Sequence, residues 1–227
     1  MCNMGRRNGR PFRFSGSIAA SASQSEKYMD DAIIPALLSF VFAATITPGP
    51  NNIMVMASGA NYGFRRSIPH LIGISAGVLP IILLAGVGLM AIFEIVPQLE
   101  TTLRIASAAY LLWLSWKIAN ASPPGVGDAV GKPLSFFQAA AFQWVNPKVW
   151  ATGLSATSLF APERVLVSVV VVASAFAIIG FAANIVWAWM GTVLQQWLMV
   201  GRRLRLFNIA MAVLLIASLY PALRHGG

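Results

Sequence analysis

Two polar motifs interrupt apolar stretches of this chain: Thr47-Pro48-Gly49-Pro50-Asn51-Asn52 and Asn146-Pro147-Lys148. Proline has no N–H, so Pro48 and Pro50 deprive the carbonyls of Ala44 and Ile46 of their helical partners, and Pro147 does the same to Gln143. In hydrocarbon such a carbonyl must be met by a neighbouring helix, water or a ligand. Gly49 tolerates backbone angles that other residues resist. Asn51 and Asn52 can cap the half-helix that starts there, whose free N–H groups favour an anion. The plain alternative is a proline kink, common in membrane helices, but Pro-Gly-Pro followed by two amides is more than a kink requires.

Lys148 lies thirteen residues beyond Ser135, roughly 20 Å along a helix at about 1.5 Å per residue. A cation at the bilayer centre costs at least about 2.5–3.5 kcal/mol, so Lys148 is expected to face a cavity. If 133–147 instead lay along the interface, with Lys148 snorkelling from its end, only 149–160 would remain to cross, which is too short. Asn184, the one strongly polar residue of a later apolar run, serves equally well as a site amide or as a bond between helices. One deep cation, two half-helix N-termini and no deep acid describe a receptor for the carboxylate of a small zwitterion. A cationic solute would find nothing to hold its second charge.

The rest of the chain says what must position these residues. Of 227 residues 57% are hydrophobic and 10% charged, against about 25% charged in soluble domains. A bilayer is therefore the expected solvent. The net charge of +9 does not indicate nucleic acid, because the basic residues sit in short clusters between apolar runs rather than on one face. Cys2 is the only cysteine, which excludes disulfides and thiolate sites within the chain. No span carries a hydrolase constellation, an acid pair or a metal triad, so neither an enzyme, a metal site nor a cofactor is expected.

Apolar runs of about 20 residues can be placed six times, near 33–56, 71–96, 101–119, 136–160, 165–190 and 206–219. The fifth is expected to end near Met190, with 195–199 along the interface. Arg65, Arg66, Lys117, Lys132, Arg202, Arg203 and Arg205 fall in loops of one side, which places that side in the cytoplasm and both termini outside. Residues 121–131, rich in Pro and Gly, read as a linker between halves 31–120 and 132–223. Three spans per half make the second half insert inverted, with a broken first and fourth helix meeting at a shared site. Residues 1–28 are Arg- and Ser-rich and hold one acid; they are expected to be a disordered tail or a non-native extension, with an organelle transit peptide as the other reading. His70 and the tryptophans are assigned to the membrane interface, Glu94 and Glu100 to solvated outer ends, and Ser75, Ser107 and Ser174 to bonds within their own helices. Trp144 and Trp150, which flank Lys148, are also candidates to wall a pocket.

Thr47-Pro-Gly-Pro-Asn-Asn, followed by Ala60-Asn-Tyr-Gly-Phe-Arg-Arg66, resembles the N-terminal signature of the LysE/RhtB family of amino-acid exporters. Ala108-Ala-Tyr-Leu-Leu-Trp-Leu-Ser-Trp-Lys117 is similar to that family's third span, and Gln143-Trp-Val-Asn-Pro-Lys148 to its fourth-span motif. The double asparagine and Gly180-Phe-Ala-Ala-Asn184 look most like the subgroup that exports cysteine and O-acetylserine. Many relatives carry an acid in that fifth-span region where this chain has Asn184, which speaks against a cationic substrate and a carboxylate proton relay. The resemblance implies proton-coupled export of cysteine-, O-acetylserine-, homoserine- or threonine-like amino acids across a bacterial inner membrane. Substrate would meet Pro48, Gly49, Pro50, Asn51, Asn52, Gln143, Asn146, Pro147, Lys148 and Asn184. A homodimer is one oligomeric arrangement left open. A non-transporting membrane assembly protein, or an exporter of another small solute, is the rival reading.

Overall fold

The computed structural model describes residues 33–88, 95–121, 132–162, 166–200 and 202–220. The expected tail 1–28, the linker 121–131 beyond Ala121, and Glu94 lie outside them. The described residues form eight helices: α1 (Ile33–Ile46), α2 (Pro50–Tyr62), α3 (Phe64–Gly86), α4 (Pro97–Ala119), α5 (Phe136–Val145), α6 (Pro147–Phe160), α7 (Leu166–Leu198) and α8 (Arg203–Ala217). Residues 33–36 are the first turn of α1; the packing below concerns residues 37–220.

Each boundary has a local cause. Proline occupies the first turn of α2, α4 and α6, where its missing N–H would be unpaired anyway. Gly63, at φ 81°, ends α2 and starts α3; that left-handed conformation suits glycine. Gly88, at φ 83°, lies just past the end of α3. The second apolar run was expected near 71–96, but its helix begins at Phe64, with Pro69 inside it, and ends at Gly86. A capping box starts α5: Gln138 N donates to Ser135 Oγ at 3.3 Å, and Ser135 N to Gln138 Oε1 at 3.0 Å.

The fifth run departs most from expectation. It does not end near Met190; α7 continues for 33 residues to Leu198, about 50 Å at 1.5 Å per residue. Nothing between 165 and 200 is charged and no proline intervenes, so no local signal stops the helix. Gln195, expected along the interface, is still helical.

By length and apolarity α3 and α7 can each cross a membrane, and α1 with α2, bent by 56°, can act as one broken span. Large apolar side chains line the outside, including Ile105, Trp116, Ile178 and Leu206, each at least 65% exposed. In water this would be a large continuous liability; in lipid it is ordinary.

Glycines set the interhelical distances. A Cβ on Gly59 would lie 2.0 Å from the Ala188 carbonyl oxygen, and one on Gly191 2.0 Å from that of Met56, so α2 and α7 touch backbone to backbone. A small-residue face of α3 is used in the same way: Gly73 and Gly77 lie against the Phe136 and Ala140 carbonyls of α5. These close crossings hold the two interrupted stretches beside α3 and α7.

Candidate functional site

At the first break the chain turns extended at Gly49, φ −163° and ψ −178°. Three carbonyls there, those of Thr45, Ile46 and Thr47, are met by side chains. Asn52 Nδ2 donates to Thr45 O at 2.8 Å and Ile46 O at 3.5 Å, and Trp187 Nε1 donates to Ile46 O at 3.3 Å. Lys148 Nζ, from the other break, donates to Thr47 O at 2.7 Å. Gly49 leaves room for that reach, since a Cβ there would lie 2.9 Å from Lys148 Cδ and 3.0 Å from Nζ.

At the second break Asn146 is extended, φ −84° and ψ 105°, and caps both helices. Its Oδ1 accepts from Lys148 N at 3.2 Å, and its own N–H donates to Gln143 O at 3.1 Å. The Gln143 carbonyl is therefore not left free as expected: a tightened last turn supplies its donor. Trp150 Nε1 donates to Trp144 O at 2.8 Å. The two breaks are joined by a reciprocal amide pair. Asn51 Nδ2 donates to Gln143 Oε1 at 2.8 Å, and Gln143 Nε2 to Asn51 Oδ1 at 3.1 Å.

Between the breaks lies a cavity of about 60 Å³, space for roughly four waters at about 15 Å³ each. Of the residues singled out from sequence, Asn51, Asn52, Asn146, Lys148 and Asn184 line it. Pro48, Gly49, Pro50 and Pro147 shape the breaks without lining the cavity, and Gln143, fully buried, supports Asn51 from behind. Among the described residues Asn184 makes no side-chain hydrogen bond, although it is only 6% exposed. Its amide is an unmet polar group of the site, which argues against a bond between helices. Lys148 is the only charged lining residue, and no carboxylate lines the cavity among the described residues.

The sequence reading missed part of the wall. Thr45, Ser75 and Thr152 add hydroxyls, and Ile74, Val78, Val149 and Phe176 add apolar surface. Ser75 had been assigned to a bond within its own helix; neither it nor Ser107 or Ser174 makes one among the described residues, and the Ser107 hydroxyl is buried without a partner. The periodicity of α3 could have found Ser75, which follows Ile74 and precedes Val78 on one helical face. Trp144 and Trp150 do not wall the cavity; their rings pack edge to face, 6.1 Å apart, outside it. Trp187, assigned to the interface, instead serves the first break. His70, assigned likewise, is buried at 1% exposure.

Two interrupted helical stretches in an apolar, lipid-exposed helical protein, closing on a small cavity with one cation, define a membrane carrier of small solutes. The family model for LysE type translocators matches residues 42–218, and the chain belongs to that family. It is thus a transporter and not an enzyme. It is similar to proteins named cysteine/O-acetylserine efflux protein from Escherichia coli strain K12 and from Shigella flexneri, 37% identical to each over 191 residues, which is 83% of this chain and 96% of each relative. No solved structure matches the chain.

Proposed function

We propose that the protein exports small neutral amino acids and their derivatives, of the cysteine, O-acetylserine, homoserine or threonine class, from a bacterial cytoplasm with protons as the coupling ion. The observation that carries this reading is the Lys148 ammonium resting on the Thr47 carbonyl beside a cavity without acids. A zwitterion inserted between them satisfies both: its carboxylate takes the ammonium, and its own ammonium takes the vacated carbonyl. Asn184, unpartnered, is left to read the side chain, and Asn51, Asn52 and Asn146 complete the polar wall. The names of the efflux relatives support the same substrate class.

Six crossings, arranged as inverted halves 31–120 and 132–223 about a linker at 121–131, are part of this proposal. On this reading α5 with α6 is a second broken span, α4 and α8 cross too, and the basic loops face the cytoplasm. If Pro50 corresponds to Pro147, then Asn51 corresponds to Lys148. Each of these two residues reaches across to the opposite break, Asn51 to Gln143 and Lys148 to Thr47. Such reciprocity supports a two-fold relation between halves.

The test is uptake or release of labelled amino acids by loaded vesicles containing the purified protein, with and without a pH gradient. Serine-, cysteine- and threonine-sized substrates are expected to move and to accumulate with the gradient. Preference for arginine or lysine would overturn the zwitterion reading, and indifference to the gradient would overturn the coupling.

A further inference from the structure

A second hollow, about 40 Å³ in volume, lies at the opposite end of α2 from the helix breaks. Ser58, Asn61, Tyr62, His70, Lys117 and Lys132 supply its polar wall. Most of the buried polar groups there are already paired. Asn61 and Asn208 exchange hydrogen bonds of 2.7 and 3.0 Å, and the Ser58 and Ser67 hydroxyls lie 2.7 Å apart. His70 is the exception: it is 1% exposed, and neither ring nitrogen has a partner. A buried imidazole left unmet beside a hollow points to something that fills it. Lys117 Nζ stands over the Trp113 ring, 5.1 Å from its centroid, and no carboxylate lines the hollow among the described residues. Both lysines are exposed, while the imidazole is buried.

We propose that this hollow is a second binding site, which takes the carboxylate of a small solute. The imidazole N–H and the two ammonium groups are donors for its oxygens, and charge-assisted donors of this kind give the stronger hydrogen bonds. Ser58 lies seven residues beyond Asn51 on the same helix, about 10 Å along its axis. A solute released here would meet the central cavity at the other end of that path. The role as a waiting position rests on the export reading; binding itself does not. Inorganic oxyanions carry the same acceptor chemistry, and the test separates them from carboxylates.

The full chain is purified in detergent with ¹⁵N-labelled histidine, and the His70 ring nitrogens are followed by NMR during separate titrations with acetate, L-serine and phosphate. His225, the other of the two histidines, is the internal standard. Acetate and L-serine are expected to move the His70 signals saturably, with affinity on the order of millimolar, equally in wild type and in Lys148→Met. Lys117→Gln with Lys132→Gln is expected to raise the concentration required by about tenfold or more, with the thermal midpoint unchanged. The proposal is overturned if neither carboxylate moves His70, if phosphate alone does, if His225 moves in step, or if the double variant responds as wild type does. Failure of the export reading would show in the vesicle assay and leave these shifts untouched.

Discussion

Lys148→Met is expected to lower export by on the order of a hundredfold or more, since truncating one partner of a buried charge pair costs about 2–5 kcal/mol. The protein should still fold, because the Thr47 carbonyl that loses its donor sits at an exposed position. Lys148→Arg then separates two roles for the cation. Arginine keeps the charge but does not give up its proton. If the lysine carries the coupled proton, the Arg variant binds substrate yet fails to concentrate it against a gradient. If the lysine is only a fixed counter-charge, uphill transport survives. Normal transport by Lys148→Met would place the residue outside the site. The readout is substrate accumulation in vesicles, scaled to the amount of folded protein.

The second large effect is expected at the amide pair that joins the breaks. Asn51→Leu or Gln143→Leu leaves its partner unmet in a buried setting, at a cost of about 1–3 kcal/mol. The double variant should lose less than the sum of the singles, with a coupling of about 0.5–3 kcal/mol, as for residues in direct contact. Thermal midpoints of the four proteins in detergent measure this. Additive effects would mean that the bonds between Asn51 and Gln143 do not hold the breaks together.

The breaks themselves were legible in the sequence, because proline and asparagine act on the backbone within a turn of where they stand. The donors to the freed carbonyls were not legible. Trp187 is 141 positions from Ile46, and Lys148 is 101 from Thr47; only tertiary packing brings them together. The same limit hid the pairing of Asn61 with Asn208, each unremarkable alone in sequence. His70 and Trp187 were misplaced for a different reason: amphipathic side chains near the ends of apolar runs usually anchor at the interface, whereas here His70 is buried and the half-buried Trp187 is held by the Ile46 carbonyl. The end of α7 could not be read either, since an uncharged run without proline or glycine beyond Gly191 offers no stop before Gly201. Cavity-facing hydroxyls were lost to the habit of bonding within the helix, which Thr45 and Thr152 do follow, each at 2.7 Å, while also lining the cavity.

The central claim, that a small amino acid occupies the cavity between the breaks and is held there by Lys148, has a direct test in the chain's single cysteine. With Cys2→Ser as background, Ser75→Cys places one thiol in the cavity wall. Its rate of modification by a small methanethiosulfonate reagent is measured with and without saturating L-serine, and again after adding Lys148→Met. L-serine is expected to slow labelling severalfold, and Lys148→Met to abolish this protection. Labelling that a transported substrate leaves unchanged, or protection that survives loss of the lysine, would contradict the central claim.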